Sequence, residues 1–106
     1  MLAKQYRLPV QTVLNKKAKS VHKGRYFFIK IFEGAKEQNR FAVVVSKKVD
    51  TRAVRRNQIK RSVFRFFQSN PPTQRLGDVL VIIQKGARDA SDHAMMEELK
   101  KIFRTL

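Results

Sequence analysis

The spacing of apolar side chains changes several times along this chain, and each change predicts an element. Residues 26–32, with aromatic and β-branched side chains around a single Lys30, have the density of a strand. The polar residues 33–39, which include Gly34 and Asn39, predict a hairpin connection. Alternation follows over 41–46, with Phe41, Val43 and Val45 on one face of a second strand and Ala42 and Val44 on the other. Residues 78–84 are a nearly continuous apolar run after Asp78, which suits a strand covered on both sides. Near the start, Pro9 opens a short predicted helix in which Val10, Val13 and Leu14 share a face.

Two segments have helical period. From about Thr51 to Gln68 there is no Gly or Pro, and Asn70, Pro71 and Pro72 stop the run. Ile59, Val63, Phe66 and Phe67 fall in one narrow arc of that helix, and Asn57, Gln58, Arg61 and Arg65 fall opposite. The second helix starts near Ser91 or Asp92 and aligns Met95, Leu99, Ile102, Phe103 and Leu106 on one stripe. Its acids Asp92, Glu97 and Glu98 precede its bases Lys100, Lys101 and Arg104, the sense that complements the helix dipole. Asp89 and Asp92 read as cap residues. The predicted order is helix, two strands, basic helix, strand, helix, with room for one further short strand. That is an α+β fold: a single-domain α/β sandwich over residues 1–106, with helices on a small, mostly antiparallel sheet of about four strands.

Charge changes the picture from fold to function. The 106 residues hold 24 Lys and Arg against 8 Asp and Glu, a formal net charge of +16, which points to a polyanionic partner. A hydrophobic share of 42% is enough for a core and too high for a disordered basic tail. The cations are unevenly placed. Residues 1–32 carry Lys4, Arg7, Lys16, Lys17, Lys19, Lys23, Arg25 and Lys30 with no acid. Residues 47–65 carry Lys47, Lys48, Arg52, Arg55, Arg56, Lys60, Arg61 and Arg65 with Asp50 alone against them. A merely solvated helix face would interleave Glu with Lys and Arg, yet no acid occurs between Asp50 and Asp78. Guanidinium forks match phosphate geometry, and Asn57 can both donate and accept, so this helix reads as a nucleic-acid-binding element. Charge alone does not separate RNA from DNA.

The inventory for protein-borne catalysis is poor. With no cysteine, disulfides, zinc–thiolate sites and thiol nucleophiles are excluded. His22 and His93 stand at no metal-ligand spacing and read as surface histidines, and the carboxylates form no pair suited to two metals. Gly24, Gly34, Gly77 and Gly86 are isolated, so there is no glycine-rich phosphate loop. No apolar run approaches the roughly 18 residues of a membrane span. The first ten residues hold Lys4 and Arg7 without a signal-peptide core, so a cytoplasmic protein without a membrane partner is expected. Most aromatics read as core, with Tyr26, Phe27 or Phe28 as candidates for an open sheet face that stacks bases.

The run from Arg56 through Asn57, Gln58, Ile59, Lys60 and Arg61 to Arg65 resembles the Arg-Asn-Arg-x-x-Lys-Arg signature helix of the bacterial ribonuclease P protein family. Residues 41–49, ending in Ser46, Lys47, Lys48 and Val49, are similar to that family's Ser-Lys-Lys strand end. Arg7 and Leu8, the apolar strand after Asp78 and the final amphipathic helix fit the same order. The resemblance implies a left-handed βαβ crossover around the basic helix, an exception to the usual hand. It also implies an accessory subunit of a tRNA 5′-maturation endoribonuclease. There a catalytic RNA with Mg²⁺ does the hydrolysis, and the protein itself holds no cofactor. The expected partners are that RNA and the 5′ leader of precursor tRNA, the leader lying in a cleft between the N-terminal helix, the sheet and the signature helix.

Carried over by position, Arg56, Asn57, Lys60, Arg61, Arg65, Lys47 and Lys48 are expected at the RNA, with Arg52 and Arg55 of the same basic run. Gln58 stands where the family usually has a second basic residue, so that charge is either missing here or supplied by Arg55. Val10, Leu14 and Ile29 are placed where relatives commonly have aromatics in the cleft, leaving Tyr26 and Phe28 as candidates to substitute. The rival readings are a ribosomal-protein-like structural RNA binder, a self-sufficient metal-dependent nuclease and a DNA-compacting protein.

Overall fold

A computed structural model describes residues 4–34 and 37–105. Four strands form one sheet, β1 (Ser20–Lys23), β2 (Phe27–Phe32), β3 (Arg40–Val44) and β4 (Asp78–Ile83), in the order β1-β2-β4-β3. The β1–β2 and β2–β4 pairs are antiparallel, and β3–β4 is parallel. Helix α1 (Ala53–Ser69) connects β3 to β4, and α2 (Asp92–Arg104) follows. Short 3-10 turns occur at Lys4–Tyr6, Val10–Thr12 and Lys85–Ala87. The α+β class, the small mostly antiparallel sheet and the two main helices are as the residues predict, and the further short strand is β1.

The predicted hairpin is not formed. β4 lies between β2 and β3, so residues 33–39 carry the chain across the start of β4 instead of joining neighbours. Ala35 and Lys36 of that segment lie outside the described residues. The reason is the burial of β4, in which every side chain but that of Ile82 is buried. A strand apolar on both faces gains most from a central place, and β4 takes it.

Alternation then sorts the sheet into two faces. Ile29 and Ile31 of β2, Phe41 and Val43 of β3, and Val79, Val81 and Ile83 of β4 face the helices. Against them α1 sets Ile59, Val63, Phe66 and Phe67, and α2 sets Met95 and Leu99, all buried. Phe67 is the hub of this layer. Its ring stacks on Phe41 at 4.1 Å and meets the edges of Phe66 and Phe103 at 5.5 and 5.2 Å. Leu106 of the predicted stripe lies outside the described residues.

The opposite face carries Phe32, Ala42 and Leu80, covered in part by Leu8 and Val13 of the N-terminal segment. That segment is not the predicted α-helix. Leu8 donates its N–H to Phe41 O along the edge of β3, and Pro9 is extended before the turn at Val10–Thr12. A 3-10 turn aligns i with i+3 and not i+4, so Val13 is buried and Leu14 is 65% exposed.

Polar ties lock the sheet ends. Asp78, wholly buried, accepts two hydrogen bonds from the Arg40 guanidinium at 2.9 and 3.0 Å. Asn39 accepts from Leu76 and Gly77 N–H and donates to Gln74 O, shaping the entry to β4. Glu98 of α2 accepts the backbone N–H groups of Arg25, Tyr26 and Phe27, which fixes the β1–β2 turn. The cap of α2 is Ser91, whose side chain accepts from Ala94 N–H, and not Asp89 or Asp92; Asp92 occupies the first turn.

Gly77 is the one described residue whose φ is positive, at 112°, and a Cβ there would lie 2.3 Å from Phe32 O. Gly77→Ala is therefore expected to cost upwards of about 1 kcal/mol, seen as a lower Tm, because backbone and not a yielding side chain blocks the new methyl. An unchanged Tm would contradict this geometry.

Candidate nucleic-acid interface

Two surfaces gather the cations. The first is α1. Its buried arc points at the sheet, so Asn57, Gln58, Lys60, Arg61 and Arg65 are all exposed. None of these five side chains makes a hydrogen bond or ion pair among the described residues. Asn57, Arg61 and Arg65 recur every four residues, which places successive side chains roughly 5–6 Å apart on a rigid rod. No acid occupies its first turn.

The remaining basic residues of the run are partly committed to the fold. Arg52 pairs with the buried Asp50, donating through Nε at 3.0 Å, Nη2 at 2.8 Å and its own N–H at 2.8 Å. These bonds, the guanidinium's first, hold the Asp50 carboxyl well below the usual carboxylate range. Arg55 donates to Ala90 O, and Arg56 donates to Asp50 O and Thr51 O, which pins the loop that leads into α1. Arg52 still exposes 69% of its side chain. Lys47 and Lys48 are exposed on the preceding turn, closed by Val49 N–H on Ser46 O.

The second surface is a groove on the sheet face away from the helices. One half holds about 290 Å³ between the N-terminal segment and the sheet, over Val10, Val13, Leu14, Val44, Leu80 and Ile82, with Lys16 and Lys30 as its charged members. The other half holds about 370 Å³ and shares Ile82; Phe28 lies in it, with Arg25, Lys48 and Lys85 as its charged members. An apolar floor with a cationic border and no acidic lining residue suits a single strand of nucleic acid, whose bases are apolar and whose phosphates are not.

Of the residues expected in the cleft, Val10, Leu14 and Phe28 line this groove. Ile29 does not. It is completely buried on the helix side, because its neighbours in register put it there. Tyr26 packs against the same helix-side cluster, and Phe27 is fully buried in it. The groove is closed by the turn before α1 through Ser46, Lys48 and Val49, and no α1 residue lines it. The residues that sequence reasoning missed are Lys16, Arg25, Lys30 and Lys85. Lys30 was readable: a lone lysine between Ile29 and Ile31, both core-facing, must point the other way.

His22 lies on the short edge strand and His93 is exposed on α2. Among the described residues no group of three His, Cys, Asp or Glu is placed to hold a metal ion. No helix among them is long and apolar enough to cross a membrane.

The family model described as Ribonuclease P matches residues 6–106. The chain is 40% identical over 68 residues to the "Ribonuclease P protein component" of Sodalis glossinidius, covering 61% of this chain and 55% of that protein. It is 35% identical over 65 residues to the protein of the same name from Yersinia enterocolitica, again covering 61% and 55%. The matches thus span about half the length of these curated relatives. Among solved structures, the RNase P protein of Staphylococcus aureus superposes with a TM-score of 0.81 at 25% identity, over 94% of each chain. The RNase P protein from Thermotoga maritima gives 0.80 at 23% identity over 94% of this chain and 96% of that one, a likeness of fold.

Proposed function

Since the chain belongs to the ribonuclease P protein family, we propose that it is the RNA-binding subunit of that enzyme, assisting a catalytic RNA in removing the 5′ leader from precursor tRNA. The observation that carries this reading is the groove. It offers apolar floor and positive border to a single strand, and it runs up to the turn that leads into the acid-free face of α1. In this reading the leader lies in the groove, and Asn57, Lys60, Arg61 and Arg65 meet the folded catalytic RNA. The chain contributes grip and position. Mg²⁺ and the hydrolysis belong to the RNA subunit, and the protein supplies no acid or base at the reacting phosphate. A ribosomal-protein-like binder fits the charge equally well but not the match over residues 6–106.

Reconstitution tests the proposal. With a bacterial catalytic RNA at low Mg²⁺, added protein is expected to restore multiple-turnover cleavage of precursor tRNA, while protein freed of RNA cleaves nothing. Failure to stimulate, or cleavage by the RNA-free protein, would overturn it, the second result in favour of a nuclease acting alone.

A further inference from the structure

Lys30 is an unusual floor residue. Strand alternation turns it away from the core, yet it is partly buried, and its half of the groove is otherwise apolar apart from Lys16, aliphatic except for the buried Phe32. No carboxylate answers it among the described residues: Glu33 pairs with Lys19, Asp78 with Arg40, Asp50 with Arg52 and Glu97 with Lys100. Its ammonium lies 5.6 Å from the centre of the Phe28 ring, so it leans along the groove and not out of it. A cation set partly into apolar surroundings without a counter-ion favours an anionic occupant. Of the side chains around it, Val10, Leu14, Leu80 and Ile82 have no ring, and Phe32 is only 3% exposed within the cluster under Leu8 and Val13, so no open ring face is offered on which a base could stack.

We propose that Lys30 seats a backbone phosphate of the bound strand, so that the Val10–Leu14 end of the groove holds the leader by charge and is indifferent to base identity there. This rests on the reading of the groove as the leader site. Stacking is then confined to the Phe28 end, and the base preference of the groove should be correspondingly narrow.

The test measures binding of the full chain, complexed with the catalytic RNA, to leader-bearing precursor tRNA and to mature tRNA. It compares wild type, Lys30→Met and Lys30→Arg, and leaders carrying one neutral methylphosphonate at successive positions. Lys30→Met keeps the apolar stem, so its Tm should match wild type. One phosphate contact is worth about 0.7 log units per tenfold change in salt, or roughly fivefold near 0.1 M. Lys30→Met should lose about that factor for the leader-bearing substrate only, with a salt slope shallower by about 0.7. Lys30→Arg should retain affinity. At one position the methylphosphonate should weaken wild type and leave Lys30→Met unaffected, while base changes at that position have no effect. Unchanged leader affinity in Lys30→Met, or additive losses from variant and methylphosphonate, would overturn the phosphate seat while leaving the leader reading intact. Equal wild-type affinity for precursor and mature tRNA would overturn both.

Discussion

Arg40→Ala should be among the most damaging single substitutions in this chain, lowering stability by about 3–5 kcal/mol. It would strand the Asp78 carboxylate, wholly buried at the start of β4, without the two guanidinium bonds that now satisfy it. Arg40 and Asp78 are also partners in register at the first rung of the β3–β4 pair, so the loss falls where the parallel ladder begins. Asp78→Ala should cost less, because the Arg40 side chain is 13% exposed and can turn its charge toward water. Replacing both by apolar residues of similar volume should recover part of the loss. Thermal or urea unfolding of the three variants checks this, with a fall in Tm on the order of 15–30 °C for Arg40→Ala. A small effect for Arg40→Ala would mean that the pair does not hold the β3–β4 start.

The triple replacement of Lys60, Arg61 and Arg65 by Ala should do the opposite, leaving Tm nearly unchanged and removing most of the affinity for the catalytic RNA. All three are exposed on α1 and bind nothing else among the described residues, and exposed positions of this kind shift stability by no more than about 0.5 kcal/mol each. Removing three phosphate-binding cations corresponds to a salt slope shallower by about 2, which near 0.1 M salt is roughly a hundredfold in affinity. Ile59→Ala on the buried arc of the same helix is the control. It should cost about 2–5 kcal/mol through the cavity it opens and leave the RNA-facing side chains in place wherever the chain stays folded. Binding titrations at several salt concentrations, read beside melting curves, separate the two faces. Reduced stability in the triple variant with unaltered affinity would overturn the assignment of this face to RNA.

What could be read from sequence follows from how local each feature is. The alternation at Phe41, Ala42, Val43 and Val44, and the arc of Ile59, Val63, Phe66 and Phe67, depend only on backbone period, and both faces came out as expected. The place of β4 between β2 and β3 depends on pairings that span the chain, and no local pattern encodes it. The same holds for Asp78 with Arg40, 38 residues apart, and for Glu98 closing on the backbone at Arg25, 73 residues away. At the site, the basic run on and before α1 was plain in the composition. Its division into exposed Lys60, Arg61 and Arg65, and Arg52, Arg55 and Arg56 tied to Asp50, Ala90 and Thr51, was not. That division depends on where the loops on either side of α1 come to rest. The groove was half legible. The density of 26–32 marked a strand with Phe28 among the candidates for an open face, but the register is needed to place Ile29 in the core, after which alternation alone turns Lys30 to the groove.

On the ribosome, β1, β2 and β3 are all synthesised before the strand that joins them. Until residues 78–83 emerge, β3 lacks its partner strand and can meet only the bridge from Arg7 and Leu8, and Leu80 and Ile82 are missing from the groove floor. A nascent chain of this kind should fold in one late step instead of growing strand by strand, since its decisive contacts are long in sequence. Truncated translation products ending before β4 should therefore be unfolded polycations, prone to indiscriminate adhesion to any RNA nearby and lacking the shaped groove.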